Sequence, residues 1–309
     1  MRKSELLREP VRDLTLNSLF ACGESARKLL EIYSNMGGFS ARFLSKALEL
    51  LTTILLAEDC FTIISFTANL VATGLRGLIA DLLGERYVDA AITSGGTFDH
   101  DIAKALGKYY KGEFELNDVE LERQGLHRLG NVLVPLEAYG PSIESFTHKM
   151  LEELRKIKEQ WAPSELAWEV GKRITDDRSI LKNAAERKIR VFTPSLVDSA
   201  FGTAIVTFNE TLRGRGLRGI FLDFEQDVRT FVDLARESGK VGLLVLGGGT
   251  SRYHALWPLQ LRGTIDYAVV ITTSFEEALQ VVRAAREGVT VLSDVTIALP
   301  LLMAALEGT

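Results

Sequence analysis

Nine residues, "TSGGTFDHD" from Thr93 to Asp101, set two glycines shortly before two carboxylates and an imidazole. Glycines at the end of an apolar run let a backbone come close to a phosphate. Asp99, His100 and Asp101 are residue types from which a small acid–base site is made. The longer stretch "YVDAAITSGGTFDHDIAKALG" passes from a β-like segment through this turn into a helical one. The turn is therefore either a ligand cradle or a plain chain reversal, with His100 in the second case a surface or helix-start residue. Four other apolar runs close in a similar way, on "FTPSLVDS", "LGGGT", "ITTS" and "LSDVT". Small and polar endings of this kind can meet phosphate, ribose and amide groups, and together they describe a nucleotide-sized cleft. The GxGxxG spacing of an ordinary dehydrogenase site is absent.

Those endings need strands to carry them. "FTIISF" (61–66), "VDAAITS" (88–94), "RVFTPS" (190–195), "GIFLDF" (219–224), "VGLLVLGG" (241–248), "YAVVITT" (267–273) and "VTVLSD" (289–294) read as strands. Helical patterns at 74–84, 99–107, 226–238 and 275–287 lie between them. This alternation predicts a Rossmann-like, doubly wound parallel sheet with helices on both faces, its ligand crevice at the carboxyl ends of the strands. Residues 1–60 read as a helical N-terminal extension and 61–309 as the core, so that 1–309 is one domain. Residues 108–190 carry less β pattern and read as an elaboration on the sheet.

Composition narrows the partners. The chain has 309 residues, 46% of them hydrophobic, enough to bury a large core. A net charge of −5, spread evenly, offers neither a basic surface for nucleic acid nor a polybasic tract for an anionic membrane. The apolar runs are too short to span a bilayer. Cys22 and Cys60 lie far apart without metal-ligand spacing, which fits a reducing, cytoplasmic setting and no metal.

Seven blocks in order, "TANLVATGLRGLI", "TSGGTFDHDIAKALG", "GEFELNDVELERQGLHRLGNVLVPLEAYG", "VFTPSLVDSAFG", "VLGGGTSRYH", "DYAVVITT" and "LSDVTIALPLLMAAL", resemble the signature blocks of deoxyhypusine synthase. The resemblance covers roughly residues 40 to 305. It implies an NAD-binding α/β protein assembled as a tetramer of two tight dimers. Such enzymes oxidise spermidine with NAD, pass its aminobutyl group through an imine on an enzyme lysine, and deliver it to a lysine of a translation initiation factor. By motif, the NAD positions fall on Asn69, Leu70, Thr73, Gly74, Thr93, Ser94, Gly95, Asp198, Thr273, Ser274 and Asp294.

The amine side departs from the pattern. The family's lysine ends a Ser-Trp-Gly-Lys block, where this chain reads "EEALQVVRAAREG" with Arg283 at the lysine position. Arginine is no substitute, because its guanidinium stays protonated while imine formation needs a neutral amine. The last lysine is Lys240, at the amino end of an apolar run. A Gly-, Ser- and Asp-rich loop that precedes the family's lysine block is missing between Thr273 and Glu276. In its place "SFEE" reads as a capping box, Ser274 the N-cap and Glu277 its partner, on a helix ending at Gly288. The family's acidic pair becomes Asp99 and His100, a family aspartate becomes Thr203, and the lysine and histidine after the triple glycine become Arg252 and Tyr253, with His254 one place later. A polycation's pocket has thereby lost carboxylates that would offset its desolvation.

Two functions fit. One is a regulatory or paralogous subunit that keeps NAD and assembly but has lost aminobutyl transfer, as a homotetramer or paired with an active paralogue. The other is an active NAD-dependent deoxyhypusine synthase, or a related NAD-dependent transferase with an altered substrate site in which Arg252 or Arg283 binds an anion; Asp99, His100 and His254 are the candidates for a catalytic role.

Overall fold

The computed structural model describes residues 2–36 and 38–306, with Glu277 described through its backbone alone. Six parallel strands form the central sheet: β1 Cys60–Phe66, β2 Ala90–Ile92, β3 Arg190–Phe192, β4 Lys240–Leu246, β5 Ile265–Thr272 and β6 Ala285–Leu292. Their spatial order is β6-β5-β4-β1-β2-β3. Both faces are covered, and the strand sequences show why they must be. In β1, Ile63 enters one apolar cluster and Ile64 the other, and β4 and β5 divide in the same way at Leu243 and Leu244 and at Ala268 and Val269. With a side-chain period of two, an unbroken apolar run supplies both faces at once.

Helices Phe224–Glu237, Gly249–Arg262 and Phe275–Ala284 cover one face. The other face carries Ala41–Leu56, Leu75–Gly84, Gly96–Leu106 and the apolar helix Val295–Leu306. The N-terminal segment is helical at Leu16–Phe20, Gly23–Ser34 and Ala41–Leu56, as its sequence predicts. Residues 108–190 supply a three-stranded antiparallel sheet and the long helix Leu136–Leu154. Among the described residues no helix is long and apolar enough to cross a membrane.

Two sequence expectations are corrected. "GIFLDF" does not join the central sheet: only Phe221–Leu222 is strand, paired with Gln160–Trp161 in a separate two-stranded sheet. Phe221 is exposed, and Asp223 leaves the strand to accept from Gln226 N as the cap of the next helix. The helix expected over 275–287 stops at Ala284, because Ala285 to Gly288 pair with Ile265 to Ala268 of β5. Strand pairing overrides the local helical pattern there. Ser274 does occupy the N-cap, but its side chain makes no capping bond, and the side chain of Glu277 lies outside what is described.

Candidate functional site

The chain lays down β1, β2 and β3 toward one edge, then returns to build β4, β5 and β6 on the other side of β1. The direction of winding reverses between β1 and β4, and an open parallel sheet has its ligand crevice at that reversal, beyond the strands' carboxyl ends. A crevice of about 410 Å³ lies there. It is lined by Thr67 and Asn69 after β1, Gly247–Gly249 after β4, Thr273 and Ser274 after β5, and Ser293 and Asp294 after β6.

Each wall has a local cause. Gly247 (φ +85°) and Gly249 (φ +70°) take left-handed backbone conformations that favour glycine, and the turn they make starts the helix Gly249–Arg262 at the crevice. The N–H groups of a helix start favour an anion. Thr67 Oγ1 donates to Asn69 Oδ1 at 2.5 Å, which fixes the amide at the rim. Asp294 accepts from Thr296 N and Thr296 Oγ1 at 2.7 and 2.6 Å, and is exposed. Asp294 is the single carboxylate among the described residues lining the crevice, and none of those residues is a lysine. A glycine turn, a helix start, hydroxyls and one carboxylate suit the phosphate and ribose groups of a dinucleotide.

Of the residues proposed from sequence for the cofactor, Asn69, Leu70, Thr273, Ser274 and Asp294 meet in this crevice. The others do not line it. Thr73 holds the first turn of the helix Leu75–Gly84 by accepting from Leu75 N, and its carbonyl accepts from Lys104 Nζ at 2.7 Å. Gly74 packs where a Cβ would stand 2.6 Å from the Arg12 carbonyl. Thr93 Oγ1 donates to the Phe66 carbonyl and pairs with Thr97 Oγ1, fully buried, while Ser94 is half-buried beside it. At Gly95 a Cβ would lie 2.7 Å from Ser199 Cβ. Asp198 is exposed on the loop after β3. Gly247, Gly249 and Thr67 line the crevice but were not singled out from sequence. The "LGGGT" ending was the available signal for the glycines, and Thr67 immediately follows a strand.

The "DHD" triplet turns into the protein. Asp99 accepts from Tyr139 Oη at 2.7 Å, Ala200 N at 2.9 Å and Phe201 N at 2.8 Å, so it serves the start of the helix Ala200–Arg213. Burial raises its pKa, against the pull of those donors. His100 Nδ1 is 2.9 Å from Tyr109 Oη, and burial, aided by Lys104, lowers its pKa to about 4. Asp101 is fully buried against Arg76. None of the three borders the crevice.

Arg283 is equally remote. It is exposed in the last turn of the helix Phe275–Ala284, which runs from the carboxyl end of β5 back to the amino end of β6. The position is thus at the opposite end of the sheet from the crevice. Lys240 starts β4 at that same end and pairs with Asp59 at 2.8 Å. Burial lowers the pKa of Lys104, but its Nζ donates to Asp13, Thr73 O and Val71 O, leaving it no access to a substrate. His254 lies on the wall of a different cavity.

Residues 28–306 match the family model of deoxyhypusine synthase. Among similar curated proteins, the probable deoxyhypusine synthase of Sulfolobus acidocaldarius is 41% identical over 320 aligned positions, 99% of each chain. That of Ignicoccus hospitalis is 42% identical, covering 98% of this chain and 97% of its own. A putative deoxyhypusine synthase from Entamoeba histolytica has a crystal structure similar in fold, with a TM-score of 0.67 at 22% identity over 97% of both chains.

Proposed function

The chain belongs to the deoxyhypusine synthase family, and from that membership we propose that it is an NAD-binding subunit that has lost aminobutyl transfer from spermidine. The reading rests on the motif match that sets Arg283 at the family's lysine position, and one observation supports it: Arg283 lies at the amino end of the sheet, and no lysine is among the described residues lining the crevice at the carboxyl end. NAD, when bound, supplies a hydride acceptor. The residues that would hold it are Asn69, Thr273, Ser274 and Asp294, with the glycine turn at its phosphates. With one carboxylate among the described lining residues, the same crevice gives a polyamine little to offset its desolvation. We take the whole chain as one such domain, working in the cytoplasm beside an active paralogue or a translation initiation factor.

Calorimetry should detect NAD binding, and borohydride added to the NAD-loaded protein with spermidine should leave the intact mass unchanged. Arg283→Lys should not restore an adduct, because the new amine would remain at the wrong end of the sheet. An adduct on the unmodified chain would overturn the reading. It would support the alternative, an active NAD-dependent deoxyhypusine synthase or related transferase, which the whole-length similarity to relatives of that name favours.

Assembly belongs to the same proposal. Phe39, Phe43, Phe275 and Leu292 leave apolar surface exposed around a groove at the free edge of β6. An uncovered edge with apolar surroundings is a site for association, and we infer a homotetramer, or a mixed oligomer with a paralogue. Light scattering should give a mass above that of one chain at micromolar concentration; a monomer there would reject it.

A further inference from the structure

The positions that match the family's NAD motif do not make one cleft. Asn69, Leu70, Thr273, Ser274 and Asp294 line the crevice, which is built on the ends of β1, β4, β5 and β6. Thr93, Ser94, Gly95 and Asp198 follow β2 and β3, on the other half of the sheet, and none of them lines the crevice.

Packing closes that other half at its glycines. A Cβ at Gly95 would stand 2.7 Å from Ser199 Cβ and 2.9 Å from the carbonyl oxygens of Ser195 and Leu196, so the loop after β3 lies directly on its backbone. A Cβ at Gly96 would stand 3.1 Å from Ala68 Cβ in the loop after β1. Asp99, on the helix that Gly96 opens, accepts from Ala200 N and Phe201 N and ties that helix to the one after β3. The glycines of "TSGG" let three loops meet, and protein occupies the approach that a phosphate would need.

The open half has a limited size and a definite charge. About 410 Å³ is near the lower end of the roughly 300–1,000 Å³ of small-ligand sites, which suits one nucleoside with its phosphates and not two. Its described lining residues include neither lysine nor arginine, and Asp294 adds a negative charge. Main-chain N–H groups and hydroxyls can satisfy a phosphate diester, which carries one charge. A terminal phosphate, with a second pKa of about 6, brings a further charge that nothing on these walls offsets.

We propose that the crevice holds one half of a dinucleotide: its ligand class is a nucleoside diphosphate esterified at the terminal phosphate, and the second nucleoside of NAD is not held. The inference rests on the crevice being the nucleotide site of the proposed function, and it sets the extent of that site. A nicotinamide ring that is not held lacks the fixed orientation that hydride transfer requires, which is a reason for lost chemistry separate from Arg283.

ADP-ribose, NAD and ADP are the probes, titrated calorimetrically into the purified protein in the assembly it adopts. ADP-ribose should bind within about threefold of NAD, and ADP at least about fivefold more weakly than ADP-ribose at pH 7.5. Asp294→Asn, which keeps an oxygen for Thr296 N, should change the affinities for ADP-ribose and NAD by the same factor. NAD binding more than about tenfold tighter than ADP-ribose would show a seat for the second nucleoside and overturn the inference while NAD binding stands. ADP-ribose bound without NAD would do the reverse, keeping the inference and removing the NAD reading. Binding of neither overturns both. ADP as tight as ADP-ribose, or unequal shifts in Asp294→Asn, also overturns the inference.

Discussion

Replacing Arg76 by methionine is expected to cost roughly 3–5 kcal/mol of folding free energy, because it leaves a buried carboxylate without its cation. Arg76 Nε is 2.6 Å from Asp101 Oδ1, with both side chains almost fully buried. Its Nη1 lies 2.5 Å from Asp176 and 3.4 Å from Asp13, and Lys104 Nζ is 2.6 Å from the other oxygen of Asp13. Burial works against the guanidinium's charge, but the three carboxylates more than offset it and raise its pKa. Asp101 also accepts from Ser179 Oγ and Leu181 N, so one carboxylate joins the helices Gly96–Leu106 and Ile180–Arg187. An apparent melting temperature lower by about 10 °C would match the expected loss. Asp176→Asn serves as the control. Its side chain is 30% exposed, and solvent can compensate there, holding the loss to about 1 kcal/mol. Equal stability of Arg76→Met and the parent would show that the network holds nothing together.

That network explains why "TSGGTFDHD" was ambiguous as sequence. Two carboxylates and an imidazole have the composition of an acid–base site, and nothing local says that Asp101 meets Arg76, twenty-five residues earlier, or that Asp99 meets Ala200 N. The partners are supplied by tertiary packing. The crevice was more legible, because strand-end residues at Asn69, Thr273 and Asp294 are brought together by the sheet's order rather than by local geometry. Apolar runs such as "VGLLVL" declare a parallel strand on their own, whereas "GIFLDF" lost its place through an exposed Phe221 and a capping Asp223. The helix after β5 stops three residues short of its local pattern, because "AAREG" suits a helix locally while β5 offers it a full row of strand partners.

The proposed departures from the family pattern share one physical setting. The segment between Thr273 and Glu276 is short, and the helix that follows it leads directly to the start of β6. Arg283 is carried along to the amino end of the sheet, where a cation faces solvent at little cost. Restoring one lysine leaves that path of the chain unchanged. The glycine turn at Gly247 and the carboxylate of Asp294 line the crevice at the other end of the sheet, so under the proposed function nucleotide binding and amine chemistry would rest on separate parts of the chain.

Two buried groups should make the response to acid separable by mutation. His100 has a pKa of about 4 in the folded chain, against about 6.5 when unfolded. Its folded pKa is depressed, so its contribution is complete above pH ~6.5 and is lost as pH falls toward ~4, by roughly 3 kcal/mol. Asp227 runs the other way. Burial raises its pKa to about 6, against the opposing pull of Ser164 and Arg190. Below the unfolded value of about 3.9 both states hold the proton, and as pH rises to ~6 the unfolded chain ionises first, again costing roughly 3 kcal/mol. Between pH ~4 and ~6 the two slopes oppose each other and largely cancel. In Asp227→Asn the His100 slope should stand alone, so urea midpoints should fall more steeply than the parent's on acidification. In His100→Gln the Asp227 slope remains, and the midpoint should hold or rise over the same interval. Comparing each variant with the parent at pH 4.5 and 6.5 cancels the titration of groups common to both. Parallel pH profiles for all three proteins would show that neither group changes its proton affinity on folding.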